Sequence, residues 1–267
     1  DTSYPHYFPN PSALKGRARL REMVLHPYIH ADIGLSFDGD GDRIGVIDEK
    51  GGNIWSDTLL ALLAKQLLEK KPGATVVFDV KCSQTLIDVI EKYGGKPLMW
   101  KTGHSYIKSK LHETGAELAG ERSGHIFVAG DEWYGFDDAS FVAAKLVEYL
   151  SHQDETVSEI IEAFPHYVTS PEIKARCGDA VKYGIVDEIP QKLKAAYPGK
   201  VCDINGARVK FAHGWGLIRA SSNLPELVLI FEADTKENML AIREIFITYT
   251  SAYPEISDKW DNDVDVM

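Results

Sequence analysis

Residues 31–48 read Ala31-Asp32-Ile33-Gly34-Leu35-Ser36-Phe37-Asp38-Gly39-Asp40-Gly41-Asp42-Arg43-Ile44-Gly45-Val46-Ile47-Asp48, and the rest of the chain is organised around them. Two short apolar, β-branched runs flank an acidic loop, which predicts strand, turn and strand. The loop places three carboxylates and a guanidinium in six residues. Like charges at that range repel, and such a cluster suits a hard, oxygen-seeking cation such as Mg²⁺. Gly39 and Gly41 permit backbone conformations that let Asp38, Asp40 and Asp42 converge. Arg43 beside a metal suits a phosphoryl group in transit, because its fork matches phosphoryl oxygens bidentately. A calcium loop is the main rival, since Asp38, Asp40, Asp42 and Glu49 stand at the first, third, fifth and twelfth EF-hand places. Arg43 occupies the place that needs glycine, and the flanks read as strands where helices are required. A solvated acidic turn without any ion is the bland reading.

Downstream, strands and helices alternate. A helix opens at Ser56-Asp57 and runs through Leu59–Leu68 to the breakers Pro72-Gly73. Thr75–Val80 is an apolar run of strand length. Ser83 caps a helix that ends at Gly94-Gly95, a strand covers Pro97–Trp100, and another helix ends before Gly115. This order predicts an α/β layer in which a mixed sheet is covered by helices, with ligands at the carboxyl ends of its strands. Lys81, Lys101, His104, Glu121, Ser123 and His125 all fall at such ends. Asp137-Asp138 caps a further helix to about His152. Prolines 165 and 171 bracket a boundary, beyond which strands near 172–176, 200–211, 216–219 and 227–233 and helices near 181–197 and 235–252 predict a C-terminal α+β domain.

Two other constellations carry chemistry. Gly120-Glu121-Arg122-Ser123-Gly124-His125 sets a carboxylate, a hydroxyl and an imidazole at alternate positions, which share one face if the segment is extended. They suit sugar hydroxyls; a surface hairpin without a ligand is the alternative. Arg219-Ala220-Ser221-Ser222-Asn223-Leu224-Pro225 offers a fork, hydroxyls and backbone N–H groups for a phosphate, or is a polar hairpin.

Composition narrows the partners. A formal charge of −11 argues against a nucleic-acid groove. No apolar run approaches the roughly 20 residues of a membrane span. The start is not a signal peptide, and Asp1 reads as an internal position of a longer protein. Three widely spaced cysteines suit a reduced, cytoplasmic setting.

The acidic turn, the 120–125 loop and the 219–225 loop, in this order and spacing, together with Phe78-Asp79-Val80-Lys81-Cys82-Ser83 and Lys101-Thr102-Gly103-His104, resemble the α-D-phosphohexomutase family, most closely its bacterial phosphomannomutase/phosphoglucomutase branch. The resemblance spans almost the whole chain. It implies a four-domain enzyme that interconverts hexose 1- and 6-phosphates, such as those of mannose and glucose. In such an enzyme a phosphoserine gives its phosphoryl group to the sugar, and a bisphosphate turns over before returning the other. By the same resemblance Asp38, Asp40 and Asp42 hold Mg²⁺ and Arg43 meets the transferring phosphoryl. Lys81, His104 and His125 line the catalytic cleft, Glu121 and Ser123 grip sugar hydroxyls, and Arg219, Ser221, Ser222 and Asn223 hold the non-reacting phosphate.

Residues 1–52 then correspond to the end of domain 2, 53–166 to domain 3 and 167–267 to domain 4, with the N-terminal domains of the same protein as partners. Two departures stand out. Leu224 occupies a position where the family commonly has threonine or another polar residue, and no Thr-Ala-Ser-His-Asn phosphoserine string occurs in these residues. The expectation is a C-terminal portion that does not turn over alone. A phosphoglucosamine mutase and a non-catalytic sugar-phosphate binding protein are the alternatives.

Overall fold

The computed structural model describes residues 9–257 and 260–261. They form two compact units, divided between Pro165 and His166.

In the first unit, helix α1 (Leu14–Val24) precedes β1 (Ile33–Phe37), β2 (Ile44–Asp48) and β3 (Asn53–Ile54). These strands make an antiparallel sheet in the order β1-β2-β3, with Phe37 opposite Ile44 across the acidic turn. Helix α2 (Ser56–Lys70) follows, with Trp55 rather than Ser56 at its N-cap. Then come β4 (Thr75–Asp79), α3 (Gln84–Lys92), β5 (Lys96–Trp100), α4 (His104–Thr114), β6 (Leu118–Gly120), β7 (Ile126–Val128), α5 (Ala139–Leu150) and α6 (Val157–Glu162). Ser83 caps α3 by accepting from the Thr85 N–H, as its sequence position predicts.

The second sheet has the order β5-β4-β6-β7; β4 runs parallel to β5 and β6, while β7 is antiparallel. Alternation along β4 separates two cores. Val76 and Phe78 pack with residues of α2, α3 and α5, whereas Val77 packs with Ile107 and Leu111 of α4. The sheet is therefore mixed and covered on both faces, and its parallel strands end at Asp79, Trp100 and Gly120.

In the second unit, β8 (Val168–Thr169), β9 (Ile173–Arg176), α7 (Asp179–Ala196), β10 (Val201–Cys202), β11 (Ala207–Lys210), β12 (Gly214–Ala220), β13 (Glu226–Ala233), α8 (Lys236–Thr250) and β14 (Trp260–Asp261) follow in order. The sheet order is β10-β11-β12-β13-β9-β14, all antiparallel, with β8 also paired to β13. Ile185, Ile189 and Leu193 of α7 and Met239, Ile242 and Phe246 of α8 share its core. This is the α+β unit that the sequence predicts. Among the described residues, no helix is long and apolar enough to cross a membrane.

Candidate functional site

The acidic turn is built around Asp38. Its Oδ1 accepts from the Asp42 and Arg43 backbone N–H groups, both at 3.1 Å, and its Oδ2 accepts from Arg43 Nε at 2.5 Å. Gly41 alone of the two loop glycines has positive φ, at 76°, so it is the residue that a side chain would strain. Ligand atoms of Asp38, Asp40 and Asp42 lie within 4.8 Å of one another. Burial would raise the Asp38 carboxyl, but its hydrogen bonds with Arg43 and Asp42 and the Arg43 charge hold it below the usual range. Burial, followed by the hydrogen bond and charge of Asp38, pushes Asp42 up to about 6. Asp42 Oδ1 is buried with no hydrogen-bond partner. An all-oxygen set with one donor atom unsatisfied fits a hard divalent cation.

The turn is fastened to the 120–125 segment. Ile44 N–H donates to the Gly124 carbonyl at 3.3 Å, and Arg43 pairs with His125 in an isolated antiparallel bridge. A Cβ at Gly124 would sit 3.2 Å from Arg43 Cβ, and φ there is 111°, so glycine permits this approach. Of the two forms that the sequence left open, the segment takes that of a hairpin. Residues 121–125 form the tight loop of the β6–β7 hairpin, in which Glu121 N–H donates to the His125 carbonyl at 2.9 Å and Gly124 N–H to the Glu121 carbonyl at 3.1 Å. The segment is therefore a tight loop and not a continuous strand. Glu121 is 2% exposed and accepts from Gly103 N–H at 2.5 Å, just before His104 opens α4. Ser123 is half-buried, and its carbonyl accepts from Ser12 Oγ at 2.6 Å.

His125 Nδ1 faces Asp137 Oδ2 at 3.2 Å and Asp42 Oδ2 at 3.5 Å, and its ring stacks 5.5 Å from that of His104. Neither carboxylate is aligned for a hydrogen bond, leaving Nδ1 buried and unsatisfied. Burial, aided by Arg43 and His104, lowers the His125 pKa against the pull of Asp137. That burial favours the neutral form of the ring.

Asp137 and Lys108 are the residues that sequence reading missed here. Lys108 Nζ lies 3.1 Å from Asp137 Oδ1, and His104 Nδ1 lies 3.8 Å from Asp137 Oδ2. Asp138, not Asp137, caps α5 by accepting from Phe141 N–H. Two adjacent aspartates before a helix are the only signal, because a single residue serves as the cap.

Lys81 is 6% exposed, and a buried network sets the strand ends around it. Asp79, fully buried at the end of β4, accepts from Thr102 Oγ1 at 2.9 Å, Arg122 N–H at 3.2 Å and Cys82 Sγ at 3.1 Å. Arg122 donates to the Lys81 carbonyl at 3.3 Å and lies 3.7 Å from Asp57, which accepts from Ser83 N–H. One carboxylate thereby ties together the loops that carry Lys81, His104 and Glu121. All three cysteines are free, and burial together with Asp79 and Asp57 raises the Cys82 thiol far above its ordinary range.

The second unit holds the remaining residues. Arg219 lies on β12, 6% exposed, with Nε donating to Asn205 Oδ1 at 3.0 Å. Ser221 N–H donates to the Glu226 carbonyl, and Ser221 Oγ accepts from the N–H groups of Asn223 at 3.4 Å and Leu224 at 3.2 Å. Three of the backbone donors expected to be free are thus engaged within the loop. Ser221 keeps its hydroxyl proton for an outside acceptor, while Ser222 and Asn223 are exposed.

Residues 55–167 match phosphoglucomutase/phosphomannomutase, alpha/beta/alpha domain III, and residues 172–248 match the C-terminal domain of the same family. The phosphomannomutase/phosphoglucomutase of Pseudomonas putida is 43% identical over 248 residues, covering 93% of this chain and 53% of that protein. A phosphoglucomutase of Neisseria meningitidis serogroup A is 39% identical over 257 residues, covering 96% and 55%. The crystal structure of a phosphoglucomutase/phosphomannomutase family protein from Burkholderia thailandensis superposes with a TM-score of 0.85 at 37% identity, over 94% of this chain and 53% of that one. The chain spans about half the length of the curated relatives it matches. With both family parts matched over most of its residues, the chain belongs to the phosphoglucomutase/phosphomannomutase family.

Proposed function

We propose that this chain is the C-terminal part of a phosphomannomutase/phosphoglucomutase that interconverts hexose 1- and 6-phosphates through a bisphosphate. In this reading residues 1–52 close domain 2, 53–166 form domain 3 and 167–267 form domain 4. The joining of the acidic turn to the 120–125 loop carries the proposal, because it gathers three aspartates, Arg43 and His125 into one cluster beside Glu121.

Asp38, Asp40 and Asp42 would hold Mg²⁺. When bound, Mg²⁺ supplies electrostatic stabilisation of charge on a transferring phosphoryl group. Arg43, oriented through its Nε by Asp38, meets the same group with its fork. Glu121 and Ser123 bind sugar hydroxyls, and His125 Nε2 takes the proton of the attacking hydroxyl. Lys81 and His104 complete the cleft, and Arg219, Ser221, Ser222 and Asn223 hold the phosphate that is not reacting. Without a phosphoserine string in its sequence, the chain binds hexose phosphates but does not turn them over.

The test is calorimetric titration of the chain with Mg²⁺ and mannose 6-phosphate, alongside a turnover assay. Binding of both without turnover is expected. Isomerisation of mannose 1-phosphate by these residues alone, at an ordinary enzymatic rate on the order of 1–10³ per second, overturns the proposal.

A further inference from the structure

Lys182 breaks the pattern of its own helix. The core-facing stripe of α7 is Lys182, Ile185, Val186, Ile189, Pro190 and Leu193, the spacing of a single buried face. Five of these six are apolar, yet the first is a lysine that is 1% exposed. An ammonium is costly to bury unless it is paired, and local departures from patterning tend to mark functional positions. Lys182 Nζ donates to the Leu224 carbonyl at 2.8 Å and lies 2.5 Å from Asp179 Oδ1 and 5.0 Å from the centre of the Tyr183 ring.

We propose that Lys182 is a positioning residue for the 221–225 loop, holding it open to the non-reacting phosphate of a hexose phosphate; this rests on the reading of that loop given above. An anion site needs donors facing in and carbonyl lone pairs facing away. Two consecutive carbonyls of the loop are anchored in this way. Lys182 and Glu226 N–H take that of Leu224, and Cys177 N–H takes that of Pro225 at 3.0 Å. Ser221 Oγ meanwhile accepts from the Asn223 and Leu224 N–H groups, which keeps the loop tight and leaves the Ser221 hydroxyl proton to face an anion. Lys182 also sets a positive charge behind the loop of a protein whose formal charge is −11.

The substitution Lys182→Met separates positioning from simple support. Methionine suits the apolar stripe. Its removal of the ammonium leaves no buried charge unpaired, because Asp179 is 69% exposed and Leu224 O keeps the Glu226 N–H. The expected result is a melting temperature at or above that of the unsubstituted chain, Mg²⁺ affinity unchanged, and affinity for mannose 6-phosphate about tenfold weaker. Lys182→Arg, which retains a charged donor, is expected to stay within about threefold. Unchanged binding in Lys182→Met overturns the proposal. So does a Met variant that melts early or fails to fold, since the lysine is then a support of the fold. Arg219→Ala is the control: if it binds mannose 6-phosphate as well as the unsubstituted chain does, the reading of the phosphate loop fails instead.

Discussion

The turn at 38–43 and the loop at 221–225 are both short, but the proposed roles give them opposite charges to hold. The first crowds carboxylates together and leaves Asp42 Oδ1 buried without a hydrogen-bond partner, so its own electrostatics favour a cation. The second ties its carbonyls to Lys182 and Cys177 and presents Arg219 and a serine hydroxyl. A cation site can carry unsatisfied acceptors because the ion completes them. An anion site has its acceptors turned away beforehand, since no anion can satisfy them.

The sharpest break of this comparison is a pair of substitutions. Arg219→Ala removes a charged, forked donor and should weaken mannose 6-phosphate binding by about 100-fold while sparing Mg²⁺. Asp40→Ala should do the reverse, weakening Mg²⁺ by roughly tenfold. Titrations in which both variants lose both ligands equally would show that the two regions do not act as separate sites.

Asp79 tests what holds the loops that carry Lys81, His104 and Glu121. It serves three donors from three segments at the end of β4, and Asp79→Ala removes the shared acceptor of Thr102 Oγ1, Arg122 N–H and Cys82 Sγ. A loss of about 2 kcal/mol in urea-denaturation stability of the first unit is expected, with the second unit unaffected. Stability unchanged within error would mean that the strand ends are held by packing alone.

Much of this was legible in the chain. The strand–turn–strand around Asp38–Arg43, the helix cap at Ser83 and the alternation that builds the mixed sheet follow from local patterns of apolar and breaker residues. Side-chain partners at long sequence separation were not. Whether Asp137 or Asp138 caps α5 depends on one residue of helix phase, and that phase is set by the hairpin packed beside it. Lys182 reads as one more basic residue in a mixed stretch, because its burial follows from how α7 lies on the sheet of the second unit. Glu121, Ser123 and His125 alternate in sequence, but Gly124, at φ 111°, folds the segment into a tight hairpin loop that alternation alone does not predict.

The smallest effect concerns Leu224. Its backbone is fully engaged, with its N–H toward Ser221 Oγ and its carbonyl on Lys182, but the residue is 47% exposed and its side chain offers no donor. Leu224→Thr keeps those backbone bonds and adds a hydroxyl at the lip of the loop. A new hydrogen bond to a phosphate oxygen contributes little net of the water it displaces, so mannose 6-phosphate affinity should rise by about two- to threefold. Melting temperature should not move, since surface changes away from caps and cores stay within roughly 0.5 kcal/mol. If instead affinity falls, the leucine side chain itself packs on the bound sugar phosphate. The loop would then hold its ligand through an apolar contact in addition to its donors.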